Sequence, residues 1–240
     1  MYRELTIDLP GCVLWTRTPE PAVARVVPDG CIDLIWSDGG LFVAGPDTVA
    51  HDARPELTYV GVRFHPGWAP VLLGVPAAEL RDARVPLDDV WPAAEVRRLA
   101  AAVEVGPARG LSEAVRARLE RTGPPDPLVR GVARALRAGQ PVGDVAARAG
   151  LSARQLQRRS VAAFGYGPKT LARVLRFDRA LALAHSGLPY ARVATETGYA
   201  DQAHLAREVR ALAGVPLGAL VQPSGANRST ALPSGSITTA

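Results

Sequence analysis

The rhythm of apolar and polar positions changes once along the chain, near residue 66. Before it, LTIDL (5–9), GCVLW (11–15), RVV (25–27) and TYVGVRF (58–64) are short β-prone runs that predict strands. CIDLIW, the turn SDGG and LFVAG predict two further strands joined through an Asp-Gly turn. After His65-Pro66-Gly67 the apolar spacing becomes helical. WAPVLLGV, WPAAEVRRLAAAVE and LSEAVRARLERT predict helices punctuated by proline and glycine. The expected fold of residues 1–122 is therefore α+β, antiparallel and β-rich over 1–65 with trailing helices over 66–122.

RTGPPDP (121–127) holds three prolines and one glycine, which predicts a break, and the linker is placed at 123–126. Beyond it every element is helical. Asp126 caps and Pro127 opens LVRGVARALRAG, and VGDVAARA follows, stopped by Gly150. Ser152 and Gln155 then have the spacing of a capping box at the head of a helix running to Phe164. A short helix, a glycine turn and a capped second helix form a helix-turn-helix. The pattern recurs. Val193, Ala194 and Gly198 match Val145, Ala146 and Gly150, and Asp201 takes the cap after a one-residue insertion. Leu205, Arg207 and Gly214 then match Leu156, Arg158 and Gly165. PKTLARVLRFDRALALAHSG, one long amphipathic helix, joins the copies. Residues 127–221 are thus expected to be all-α, with two motifs reading successive stretches of one partner, and 222–240 to be a disordered tail.

Charge narrows the class of that partner. Residues 127–221 carry 14 Lys+Arg against 5 Asp+Glu, while residues 1–126 carry 13 against 18. The basic half is almost all arginine, whose planar fork suits phosphates and guanine edges. High-GC codon usage would favour arginine over lysine but would not divide the halves. A polyanion is the expected partner of the C-terminal half.

The double motif, the linking helix, G-Y-G-P-K (165–169) and G-Y-x-D-Q-x-H-x-x-R (198–207) together resemble the DNA-binding domain of AraC/XylS-family transcription regulators. Two departures from that family are Ser160, at a place usually large and apolar, and the ending V-P-L-G-A-L. Ser160 is expected to leave the first core underfilled, with its hydroxyl bonded back to the Leu156 carbonyl. Helical geometry puts Leu156, Ser160, Ala163 and Phe164 inward in the first reading helix, and Leu205, Val209 and Leu212 in the second. Arg154, Gln157, Arg158, Gln202, Arg207 and Arg210 are the candidate DNA contacts. Arg173, Arg176 and Arg179 on the linking helix are expected to include an ion pair with Asp178 as well as phosphate contacts.

P-D-G-C-I-D-L-I-W, Gly45-Pro46 and G-V-R-F-H-P-G resemble a β-rich domain often fused to AraC-type domains. By that analogy residues 1–122 sense a small molecule. Trp15, Trp36, Trp68, Trp91, Asp33 and Arg63 are the candidate pocket residues, among which Trp36, Arg63 and Trp68 are the ligand-binding candidates; a structural ion pair is the other reading of Arg63 and Asp33. The resemblance also implies RNA polymerase and a second copy of the chain as partners, and no cofactor or metal. Rival readings are a DNA-binding regulator whose N-terminal domain only mediates protein–protein contacts, a protein adaptor using 93–122, and a thiol enzyme using Cys31 with Asp33, His51 or His65. Nothing in their spacing assembles the last. Cys12 and Cys31 are too few for a four-thiolate zinc centre and are expected to be buried thiols. With no apolar run of about 18 residues and no secretory signal, the chain reads as a soluble, cytoplasmic protein.

Overall fold

The computed structural model describes residues 1–20, 24–38 and 40–221; the expected disordered tail lies outside the described residues. A six-stranded antiparallel sheet has the order β1-β2-β7-β4-β5-β8, and β3 and β6 form a separate antiparallel pair. The strands are β1 (Tyr2–Leu5), β2 (Cys12–Arg17), β3 (Ala24–Val26), β4 (Ile32–Ser37), β5 (Gly40–Ala44), β6 (His51–Ala53), β7 (Tyr59–Phe64) and β8 (Arg84–Pro86). The first strand precedes its predicted place. Leu5 pairs with Leu14, after which the chain leaves the sheet and Leu9 turns into the core. β6 and β8 were not foreseen.

Alternation along the strands sorts the sheet into two faces. Cys12 and Leu14 of β2, Ile32 and Leu34 of β4, and Val60, Val62 and Phe64 of β7 share one core. Helices α1 (Ala69–Leu73), α2 (Ala93–Val105) and α3 (Pro107–Thr122) cover that face through Leu72, Leu73, Val96, Leu99, Val103, Leu111 and Val115. The opposite parity, including Trp15, Arg17, Asp33, Ile35, Ser37 and Arg63, faces a cavity that the β3–β6 pair also lines. Gly61 in β7 makes room for this layer: a Cβ there would lie 2.5 Å from the Trp15 ring.

The C-terminal helices are α4 (Pro127–Arg137), α5 (Val142–Arg148), α6 (Ala153–Phe164), α7 (Pro168–His185), α8 (Tyr190–Thr197), α9 (Gln202–Ala213) and α10 (Leu217–Val221). The capping box is formed in both directions between Ser152 and Gln155. Asp201 accepts from the His204 amide at 2.6 Å, and Asp126 from the Leu128 amide at 2.8 Å. The N-terminal part of α7 supplies Leu171, Val174 and Leu175 to the first motif's core. Its C-terminal part supplies Phe177, Ala180, Leu181 and Ala184 to the second. One helix therefore sits in two cores and fixes the motifs to each other.

Ser160 is buried as expected, but its hydroxyl has no hydrogen-bond partner among the described residues, so the expected bond to the Leu156 carbonyl is not made. A buried polar atom left unpaired costs about 1–3 kcal/mol. Ser160→Ala is expected to raise stability by about 1 kcal/mol in chemical denaturation. A loss of stability would show that the hydroxyl is satisfied.

Candidate functional site

Six candidate DNA contacts lie on the two reading helices, α6 and α9. In α6, Leu156, Ser160 and Phe164 are buried, while Arg154, Gln157 and Arg158 are exposed. In α9, Leu205, Val209 and Leu212 are buried, while Gln202, Arg207 and Arg210 are exposed. None of Arg154, Arg158, Arg207 and Arg210 makes an ion pair or side-chain hydrogen bond among the described residues. Their neighbours differ: Arg159 approaches Asp126 at 4.0 Å, and Arg173 is gripped by Glu208 at 2.7 and 3.3 Å. Gln157 folds over the turn after α6, where its Oε1 would be 2.5 Å from a Cβ on Gly167. Arg210 sits in the last turn of α9, remote from the helix N-terminus that enters a groove. His204, in the first turn of α9, accepts from the Ala200 amide at 3.3 Å and packs edge-on against Tyr199. The motif G-Y-x-D-Q-x-H carried it, although helical geometry alone did not single it out.

The expected ion pair of the linking helix with Asp178 is corrected. Asp178 accepts from Arg137 of α4 at 2.8 Å, whereas Arg173 and Arg176 face Glu208 and Arg179 donates to the carbonyls of Arg137 and Thr197. The spacing within one helix could not reveal partners on α4 and α9. Burial pushes the Asp178 carboxyl up to about 6 against the pull of Arg137. The folded protein therefore holds this proton more tightly than the unfolded chain, and the associated stability is lost as pH rises from about 4 through about 6. Asp178→Asn lacks this slope. Its stability relative to wild type is expected to improve over that window in melts at stepped pH, and an unchanged difference would contradict the assignment.

The second site is the cavity, of about 460 Å³. Val26, Val27, Ile35, Phe42, Leu57 and Tyr59 give it an apolar lining, to which Trp15, Arg17, Asp29, Cys31, Asp33 and Arg63 add polar groups. Arg63 is 3.3 Å from Asp33, 3.5 Å from Asp29 and 3.8 Å from Glu4. Asp33 also accepts from the Trp15 indole at 2.6 Å, and burial pushes its carboxyl up to about 6. Of the sequence candidates, Trp15, Asp33 and Arg63 line the cavity. Trp36, Trp68 and Trp91 pack with the helix-covered core on the other side of the sheet, Trp91 beneath the Arg118 guanidinium at 4.3 Å. Arg17, not among those candidates, lines the cavity too. Cys12 and Cys31 are free and buried, and burial together with the Asp29 charge pushes the Cys31 thiol up. That is the reverse of what a thiolate nucleophile needs.

The cavity wall continues into the contact between the two halves. Val27 belongs to the second motif's core, and the Ala50 amide donates to the Leu212 carbonyl at 2.8 Å. Gly165 ends α6 with φ 81°, where a Cβ would lie 2.5 Å from Pro46 and 3.0 Å from the Ala77 carbonyl. Glycine is required there by both its left-handed backbone and this close approach. The segments 26–29 and 45–52 thus border the cavity on one side and the reading helices on the other.

Residues 145–222 match the family model described as "Helix-turn-helix domain". Residues 11–86 match "Domain of unknown function (DUF6597)". No curated protein matches the chain. Among solved structures, an apo point variant of ToxT from Vibrio cholerae strain SCE256 is 10% identical with a TM-score of 0.46, covering 87% of this chain and 96% of that one. ToxT from Vibrio cholerae O395 is 8% identical with a TM-score of 0.43, covering 85% and 94%. Unsaturated fatty acid bound wild-type ToxT is 9% identical with a TM-score of 0.42, covering 89% and 96%. Among the described residues, no helix is long and apolar enough to cross a membrane.

Proposed function

We propose that the chain, with its C-terminal helix-turn-helix domain, is a DNA-binding transcription regulator of the AraC/XylS type, and that its N-terminal cavity makes it a one-component regulator that answers to a small molecule. In this reading residues 1–122 form the sensor, 123–126 the linker and 127–221 the DNA-binding domain. The observation that carries it is the continuity of the cavity wall with the contact on α6 and α9. A ligand that moves Val27 or the 45–52 segment changes what the reading helices rest on. Such a ligand shifts DNA affinity by its preference for one arrangement over the other. Contact with RNA polymerase and pairing of two copies at one promoter belong to the same reading.

α7 spans roughly 27 Å at 1.5 Å per residue, so its two motifs suit adjacent major-groove segments about 10 base pairs apart. They present different residues, Arg154 and Arg158 in one and Gln202 and Arg207 in the other, so the operator should be asymmetric. Binding-site selection tests this. Arg158→Ala should relax preference at one end of the site and Arg207→Ala at the other, with the smaller loss. Unchanged preferences with uniformly weaker binding would mean that these arginines only hold phosphates.

A further inference from the structure

Arg17 ends β2 on the cavity side and is only 1% exposed. Buried cations are ordinarily paired. Arg63 of the same wall has its carboxylates, and Arg84 holds Asp47 through two bonds of 2.9 and 2.8 Å, while Arg54, which also lines the cavity, is exposed. Arg17 makes no ion pair among the described residues. Its Nη1 donates to the Arg54 carbonyl at 3.2 Å, and its guanidinium lies 5.7 Å from the centre of the Tyr59 ring. Nε and Nη2 have no hydrogen-bond partner among the described residues. These two nitrogens share one edge of the guanidinium, the edge that takes both oxygens of a carboxylate.

We propose that the cavity binds a monocarboxylate with an apolar body, its carboxylate held on the Nε/Nη2 edge of Arg17. This rests on the effector reading above and names the ligand's chemical class. Arg17 is a buried guanidinium without an ion pair among the described residues, whereas Arg54 is exposed to solvent, so the buried charge calls for one negative charge. Val26, Val27, Ile35, Phe42, Leu57 and Tyr59 line the space for an alkyl or aromatic body. An amine would need a free carboxylate. Asp33 and Asp29 are instead turned to Arg63, the first also to Trp15 and the second to the Cys31 amide; Asp47 is held by Arg84, and Asp52 is exposed and 3.8 Å from Arg25. The volume lies within the ordinary range for small-ligand pockets.

The test uses the full chain and matched triplets of one body with three heads. Decanoate, 4-phenylbutanoate and 2-naphthoate are each compared with the corresponding amide and amine by titration calorimetry and thermal shift. At least one carboxylate is expected to bind ten-fold or more tightly than its amide, with the amine weakest. Arg17→Gln should erase that preference. Arg17→Lys, which keeps the charge but loses the two-donor edge, should reduce it and serves as the test if the glutamine variant does not fold. Because no carboxylate among the described residues balances Arg17, Arg17→Gln without added ligand should melt at or above the wild-type temperature. Amides or amines that bind as well as carboxylates, or a preference that survives both substitutions, would overturn the carboxylate assignment and leave the effector reading standing. Binding by no member of any triplet would overturn both.

Discussion

Replacing Arg154 and Arg158 together by alanine is expected to weaken binding to the selected operator by about 100-fold, with a smaller loss on unrelated DNA. The two residues are one helical turn apart on the exposed face of α6, opposite buried Leu156, Ser160 and Phe164. They carry no side-chain partner among the described residues, so binding DNA does not require breaking an ion pair there. Each bidentate arginine–guanine contact discriminates by about 1–3 kcal/mol, and about 1.4 kcal/mol is a factor of ten. Two such contacts give the expected loss at the low end of that range. Equal losses on specific and unrelated duplexes would assign both residues to the phosphate backbone. The helix itself should persist, because its cap is Ser152 and its packing uses the other face.

Arg63→Met is expected to destabilise the protein by about 3–5 kcal/mol in chemical denaturation. Arg63 is 4% exposed and stands among Asp33, Asp29 and Glu4. Removing one partner of a buried charge cluster leaves the others uncompensated, which costs about that much. Asp33 is already pushed up to about 6 with the cation present, and further without it. The folded variant would then hold the Asp33 proton over a wider range than wild type. Its stability should fall further as pH rises, so the gap between the two proteins should be larger at pH 8 than at pH 5. A loss under about 1 kcal/mol, or a gap that narrows with rising pH, would contradict this role. Arg17 gives the contrast: buried in the same wall without a carboxylate, it should not cost stability when replaced.

The C-terminal half was legible because its signals are local. Caps at Ser152 and Asp201, turn glycines and apolar positions on one helical face lie within a few residues of what they determine. The major strands were legible through alternation, but β6 and β8 were not. Each has three residues, HDA and RVP, too few to alternate, and exists because β3 or β5 is there to pair with it. The candidate pocket was only partly legible for a related reason. Parity along β2 puts Arg17 on the face opposite Leu14, and a single sequence reads that face as solvated. The β3–β6 pair encloses it, and no local pattern announces that. Parity along β4 likewise separates Trp36 from Asp33. The ion pairs of α7 depend on Arg137 and Glu208, 41 and 35 residues from their partners, and helical spacing does not reach them.

Affinity of the full chain for its selected operator, measured by fluorescence anisotropy across a salt series, tests the central claim most directly. Two reading helices with unpaired arginines should neutralise about six phosphates, giving a log–log salt slope of roughly −5 and much weaker binding to unrelated duplex. Binding that is insensitive to salt, or equal for all duplexes, would contradict a sequence-reading regulator.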